Sequence, residues 1–193
     1  MNKNLSKMTK VLLVGATLFS APVFAEMTVG GVKFGDSIEI DGMGLALNGA
    51  GVRHKLFLEV YAAGMYLPEA TSNQQVALSV RPALIRLVIT SKLVNQARIA
   101  EAIDEGLTSG IGKDNIDAQT ANDIQTLRGL FPSSISKGSV LDFYVGADES
   151  LTIRLDGQEL GRFSNPKMGL GTLRSWIGDN PVEAKLKSGL LGN

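Results

Sequence analysis

The sequence contains no cysteine and a single histidine, His54. The first absence excludes a disulfide scaffold, a thiolate-held metal or iron–sulfur site, and a thiol nucleophile. The second excludes a histidine-clustered metal site. It also leaves His54 as the only imidazole base for a serine triad, and no Gly-x-Ser-x-Gly elbow accompanies it. Aromatic residues are few, with one Trp, three Tyr and seven Phe in 193 residues, which is poor for a surface that stacks bases or sugars. A basic surplus is missing as well: 19 Lys and Arg face 19 Asp and Glu, whereas nucleic-acid binders normally carry an excess of cations. No metal, cofactor or nucleic-acid partner is therefore expected.

What is present begins with an address. Met1–Lys10 holds Lys3, Lys7 and Lys10 and no acid, and an apolar run follows, VLLVGATLFSAPVF, closing on Val23-Phe24-Ala25. A charged start, an apolar middle and small residues at −3 and −1 form the secretory pattern. The run is shorter than the roughly 20 residues a spanning helix needs. Residues 1–25 are therefore expected to be a cleaved signal peptide, leaving no stable membrane anchor, and the address is expected to be the periplasm. Residues 26–193 form a single domain, large enough to bury one core without staples. Loss of the three leader lysines makes that domain mildly acidic.

Along this domain, Met27–Phe34 and Ser37–Ile40 read as short strands, and Asn48-Gly49-Ala50-Gly51 as a turn. Val52–Leu67 runs sixteen residues with no Pro, Asn or Asp and is apolar on both parities. It reads as one long central strand covered on both faces, stopped by Pro68. A short helix within Ala70–Val80 and a strand at Leu84–Thr90 come next. Leu93–Leu107 and Asn115–Leu130 carry helical apolar spacing. A meander follows, Ser139–Val145, Ser150–Leu155 and Gln158–Phe163, whose Asp156-Gly157 is a two-residue hairpin signal. Asn165–Ile177, with Ser164 or Asn165 as cap and Pro166 in the first turn, and Pro181–Leu191, capped by Asp179 or Asn180, close the chain as helices. Strands, helices, strands and helices in that order give an α+β plan: one mainly antiparallel sheet with helices on a face.

Few residues carry chemistry. Gly42, Gly44, Gly49 and Gly51 lack the phosphate-loop spacing and precede a strand, so they read as turn glycines. The adjacent acids Asp104-Glu105 and Asp148-Glu149 point apart and read as solvated surface. Arg53 stands out. It opens the most apolar strand, and a guanidinium stays charged and is costly to bury alone. Two resolutions remain open: an ion pair, with Glu59 or a helix acid, or a cleft-facing cation that holds a carboxylate. Tyr61 could supply the remaining hydrogen bond. The two residues are eight apart and share a face of a straight strand, but such a strand separates them by roughly 26 Å. His54, next to Arg53, would then point away from any cleft that Arg53 faces.

The segments NGAGVR and VYAAGMYL, with GRFSNPKMGLGTLRSWIGDNPVEAKLKSGLLG far downstream, resemble the chalcone isomerase fold family, most of all its bacterial exported members. The resemblance covers essentially all of residues 26–193. It implies an open-faced sandwich, a large curved sheet with a layer of helices on one side and a ligand cleft between. By that resemblance Arg53 is the cleft arginine that meets substrate oxygen in the isomerases and fatty-acid carboxylate in the binders. Tyr61 falls where isomerases use Thr and fatty-acid binders use Tyr, and Ser175 where isomerases set a Ser or Thr against substrate. The Tyr and Asn that isomerases carry on the first cleft helix are replaced here within Leu93–Ala97 and Glu101–Ile103. The expectation is a non-catalytic periplasmic protein that binds a fatty acid or similar apolar carboxylate through Arg53, Tyr61 and Ser175. The alternatives are an intramolecular lyase of the chalcone isomerase type, a haem-binding module using His54, and a partner-binding module without a small ligand.

Overall fold

A computed structural model describes residues 26–193; the expected signal peptide, residues 1–25, lies outside the described residues. Chain order is β1 (Met27–Val29), β2 (Val32–Phe34), β3 (Ser37–Ile40), β4 (Met43–Lys55), β5 (Leu58–Leu67), α1 (Gln74–Ser79), β6 (Ala83–Ile89), α2 (Gln96–Ile111), a single 3-10 turn (Lys113–Asn115), α3 (Ala118–Gly129), β7 (Val140–Val145), β8 (Leu151–Leu155), β9 (Gln158–Phe163), α4 (Pro166–Ile177) and α5 (Ala184–Leu190). Strands β3 to β9 form one curved antiparallel sheet in sequence order, so the expected α+β class and the helix-covered sheet are both present. Strands β1 and β2 form a separate hairpin through Gly30 and Gly31, both at positive φ, where a single β segment is expected from the sequence.

Alternation along the strands sorts side chains into two layers. Ala63, Met65, Ile85, Leu87, Phe143 and Ile153 point to the helices and join Leu107, Leu127, Leu173 and Trp176 in the main core. Ala62, Tyr66, Leu84 and Tyr144 point the other way, where the β1–β2 hairpin seats Phe34 on them. Strand β5 is thus apolar on both parities because both its faces are covered.

Two sequence expectations about this region fail, and the failures are linked. Val52–Leu67 is not one strand: the chain reverses at Leu56-Phe57, and β4 pairs back on β5 with Arg53 directly opposite Tyr61. No Gly, Asn, Asp or Pro marks the reversal, and Leu56 itself adopts φ +60. Conversely, Asn48–Gly51 is no turn but the middle of β4. Its glycines answer to α5, which lies directly on the strand: a Cβ on Gly49 would sit 2.2 Å from the Gly189 carbonyl oxygen. Buried Asn48 secures the contact, donating to the Leu190 carbonyl at 2.7 Å and accepting from the Thr71 amide at 2.6 Å.

Helix α4 starts as its sequence predicts. The Asn165 side chain accepts from the Lys167 amide, and Pro166 occupies the first turn. Helix α5 is capped by neither Asp179 nor Asn180; its N-cap is Glu183, whose side chain is turned elsewhere. Helices α2 and α4 touch backbone to backbone, because a Cβ on Gly110 would lie 2.1 Å from the Gly171 carbonyl.

Candidate functional site

Over the β4–β5 hairpin, helices α2 and α4 stand away from the sheet and leave a cavity of about 290 Å³. Ile99, Ala102, Ile103 and Gly106 face it from α2 at i, i+3, i+4 and i+7, the spacing of one helical stripe. Thr172, Ser175 and Trp176 face it from α4 at i, i+3 and i+4, and Arg53, Val60 and Tyr61 from the sheet. A second cavity of about 370 Å³ runs toward the hairpin turn and shares Lys55, Val60, Tyr61, Ile99 and Ala102 with the first. The two cavities therefore adjoin across these side chains.

All three residues singled out from the sequence meet at this cavity, though by a route the sequence conceals. Arg53 and Tyr61 are cross-strand partners, not points along one strand. The register steps between Arg53 and His54, so that Val60 is the extra residue on β5 and the local twist increases. The same step lets two sequence neighbours reach one acid. Arg53 Nη1 donates to Glu183 Oε2 at 3.2 Å, the His54 amide donates to the same oxygen at 2.7 Å, and His54 Nδ1 lies 3.5 Å from Glu183 Oε1. Arg53 also donates to the His54 carbonyl. His54 stays out of the cleft that Arg53 faces, as expected, and lines neither cavity, yet its imidazole reaches the same acid. It sits between Glu183 and Glu59, the latter at 3.8 Å.

Of the two resolutions of the half-buried guanidinium, the ion pair is the one present. Arg53 has an internal counter-ion, and the counter-ion is a helix acid, Glu183, not Glu59. A void lies beside the pair all the same, and Arg53 lines it.

Tyr61 is 8% exposed. Trp176 Nε1 donates to its oxygen at 2.9 Å, and Trp176 is held in turn against Phe143, ring centroids 5.1 Å apart and tilted 55°. Burial is the main cause that pushes the Tyr61 hydroxyl up to about 12; the Trp176 hydrogen bond and the Arg53 charge oppose the rise, and Glu183 adds to it. The phenol is therefore neutral at physiological pH and keeps a proton to donate, beside a guanidinium, at the edge of a cavity. Ser175 is buried, and its hydroxyl donates to the Thr172 carbonyl at 2.7 Å. Its oxygen can accept from an occupant but has no proton left to offer.

Sequence reasoning passed over Trp176 and Glu183. The signal for Trp176 was its being the chain's only tryptophan, next to Ser175. Glu183 carried none, because only the fold brings α5 back to the start of the hairpin. The helix segment Leu93–Ala97 supplies Asn95 as the cap of α2, accepting from the Arg98 amide, and puts no side chain on the first cavity. Among the described residues no group of three or more His, Asp or Glu could hold a metal ion.

Comparison with known proteins agrees with this architecture. The family described as chalcone isomerase-like matches residues 26–192. No curated protein sequence matches the chain. Among solved structures, a fatty-acid binding protein of Arabidopsis thaliana is similar, with a TM-score of 0.67 at 21% identity, covering 84% of this chain and 93% of that one. At that identity the likeness concerns the fold.

Proposed function

We propose that this chain, which belongs to the chalcone isomerase-like family, is a non-catalytic, exported binding protein whose ligand is a fatty acid or similar apolar carboxylic acid. One observation carries the reading: a neutral phenol and a guanidinium, Tyr61 and Arg53, are paired across two strands at the edge of an otherwise largely apolar cavity. A carboxylate could accept from both, bidentately from the guanidinium edge. The similarity to a plant protein whose own ligand is a fatty acid supports it. Cleavage after Ala25 would place the domain in the periplasm.

Magnitudes assign the parts. Each methylene taken from water contributes about 0.8 kcal/mol, so a long tail along the two cavities supplies most of the affinity. A charge-assisted hydrogen bond adds about 1.5–3 kcal/mol, enough to orient the head but not to hold the ligand alone. The acid must use the guanidinium edge that Glu183 leaves open, or displace Glu183.

Delipidated protein titrated with a fluorescent fatty acid tests this. Arg53→Ala is expected to weaken binding about 10- to 100-fold, and Ala102→Phe, which fills the wall common to both cavities, to abolish it. Wild-type affinity in both variants would remove the acid and the cavity from the account together. A mature N-terminus at Glu26 in the periplasmic fraction tests the address.

A further inference from the structure

We infer that the tip of the β4–β5 hairpin docks on an anionic lipid surface, so that the cleft opens onto a bilayer. The inference deepens the acid-binding reading by naming where the ligand enters. Its starting point is the reversal between β4 and β5. Leu56 has positive φ and its neighbour Phe57 does not. That pattern puts glycine at the first central position of a tight hairpin, followed by a small polar residue. Here Leu56 and Phe57 stand in those places, 90% and 100% exposed, with Leu58 and Leu93 about half exposed beside them. A left-handed Leu is unfavourable, and a fully exposed Phe gains nothing from the fold.

Leu56, Leu58 and Leu93 also line the mouth of the outer cavity, so the apolar tip and the entrance are one surface. Lys55, Lys92 and Arg98 surround it, all exposed. None of the three forms an ion pair among the described residues. The acids nearby are Glu101 on the rim and Glu59, which faces His54. Protruding apolar side chains ringed by cations match a bilayer carrying negative headgroups. Four side chains at a tip are far fewer than the 20–30 residues a side of a stable protein interface, which disfavours a second copy as the occupant.

The test is co-sedimentation of the purified protein with vesicles of phosphatidylglycerol and phosphatidylcholine, or of phosphatidylcholine alone. Leu56→Gly with Phe57→Asn removes the tip and installs residues the turn prefers, so this variant keeps the fold. Wild type is expected to bind the anionic vesicles at least about tenfold better than the double variant does, and better than it binds neutral vesicles, with binding weakened by salt. Equal binding by the two proteins, or no binding by wild type, overturns the inference. So does lipid-free self-association of wild type that the double variant loses, which would assign the tip to a second copy. Solution affinity for the fluorescent fatty acid, measured on the single variant Phe57→Asn, whose position lines neither cavity, reports the cavity separately. It is expected to be unchanged, so failure of the docking and failure of the acid-binding reading are distinguishable.

Discussion

Two hairpins in this sheet share one backbone plan and differ in what they serve. In β8–β9, a two-residue turn at Asp156-Gly157 is followed by the pairs Leu155 with Gln158 and Arg154 with Glu159, then a register step to Ile153 opposite Gly161. In β4–β5, a two-residue turn at Leu56-Phe57 is followed by Lys55 with Leu58 and His54 with Glu59, then a register step to Arg53 opposite Tyr61. The first hairpin has what its geometry prefers: Asp and Gly at two positive φ values, and an apolar pair beyond the bulge. It is sealed, because a Cβ on Gly161 would stand 2.7 Å from Leu130 Cδ1. The second has Leu at a positive φ, an exposed Phe, and a charge with a phenol beyond the bulge, facing open space. Local preference is given up at each successive position, and the proposed ligand in the cleft and lipid at its mouth would supply the reason.

The sharpest way to break this comparison is to transplant the pair. Ile153→Arg with Gly161→Tyr puts a charge and a ring where no void exists. A buried unpaired charge costs about 3–5 kcal/mol and overpacking about 1–3, so a loss above about 4 kcal/mol is expected in urea unfolding. An unchanged midpoint would mean that the first hairpin is no more closed than the second.

Next in size is a pH effect at the cleft hairpin. The Tyr61 hydroxyl is raised to about 12 from an ordinary 10, so between these values the folded protein holds a proton that the unfolded chain releases. Stability from this group is complete below pH 10 and is lost as pH rises toward 12, by about 2–3 kcal/mol. Tyr61→Phe should remove that part of the alkaline slope. It should also lower stability at pH 7 by about 1–3 kcal/mol, since Trp176 Nε1 loses its acceptor in a buried site. A wild-type curve flat over pH 10–12, measured against the variant, would contradict the burial of the phenol.

Glu183→Gln sharpens the comparison at Arg53, whose counterpart Ile153 needs no counter-ion. Removing the competing charge should raise affinity for a fatty acid about fivefold to tenfold, close to 1 kcal/mol; reduced affinity would show that Glu183 supports the ligand rather than competes with it. The smallest effect compares the turns. Leu56→Gly relieves a left-handed residue, worth about 1–2 kcal/mol, but loosens the unfolded chain by about 0.5–1. The net gain should be below about 1 kcal/mol, and Gly157→Ala, at φ +83, should lose about as much. Thermal midpoints would move in opposite directions by about 2–4 °C; movement in the same direction would end the contrast.

The same contrast explains what was legible in the sequence. Asp156-Gly157 announces its turn, Asn165-Pro166 announces its helix, and the alternation of the meander gives the sheet, because each signal is local. Leu56-Phe57 is silent, since those residues are there despite the turn. Asn48–Gly51 misleads, since its glycines answer to a helix far away in the chain, and turn glycines look the same. Arg53 could be picked out as an unusual residue with Tyr61 as its hydrogen-bonding companion, and Ser175 only through the family resemblance. Their meeting at one cavity, and the role of Glu183, depend on pairings between distant segments that no local pattern encodes.

The Arg53–Glu183 contact, at 3.2 Å, bears on how a guest would leave. A departing acid would not strand a naked cation in a dry place, because the protein's own carboxylate is already at hand to take over. Loading and unloading then become a swap between two anions of similar character, with a small energy gap in either direction. On the proposed reading, such a site would favour rapid hand-over rather than long storage.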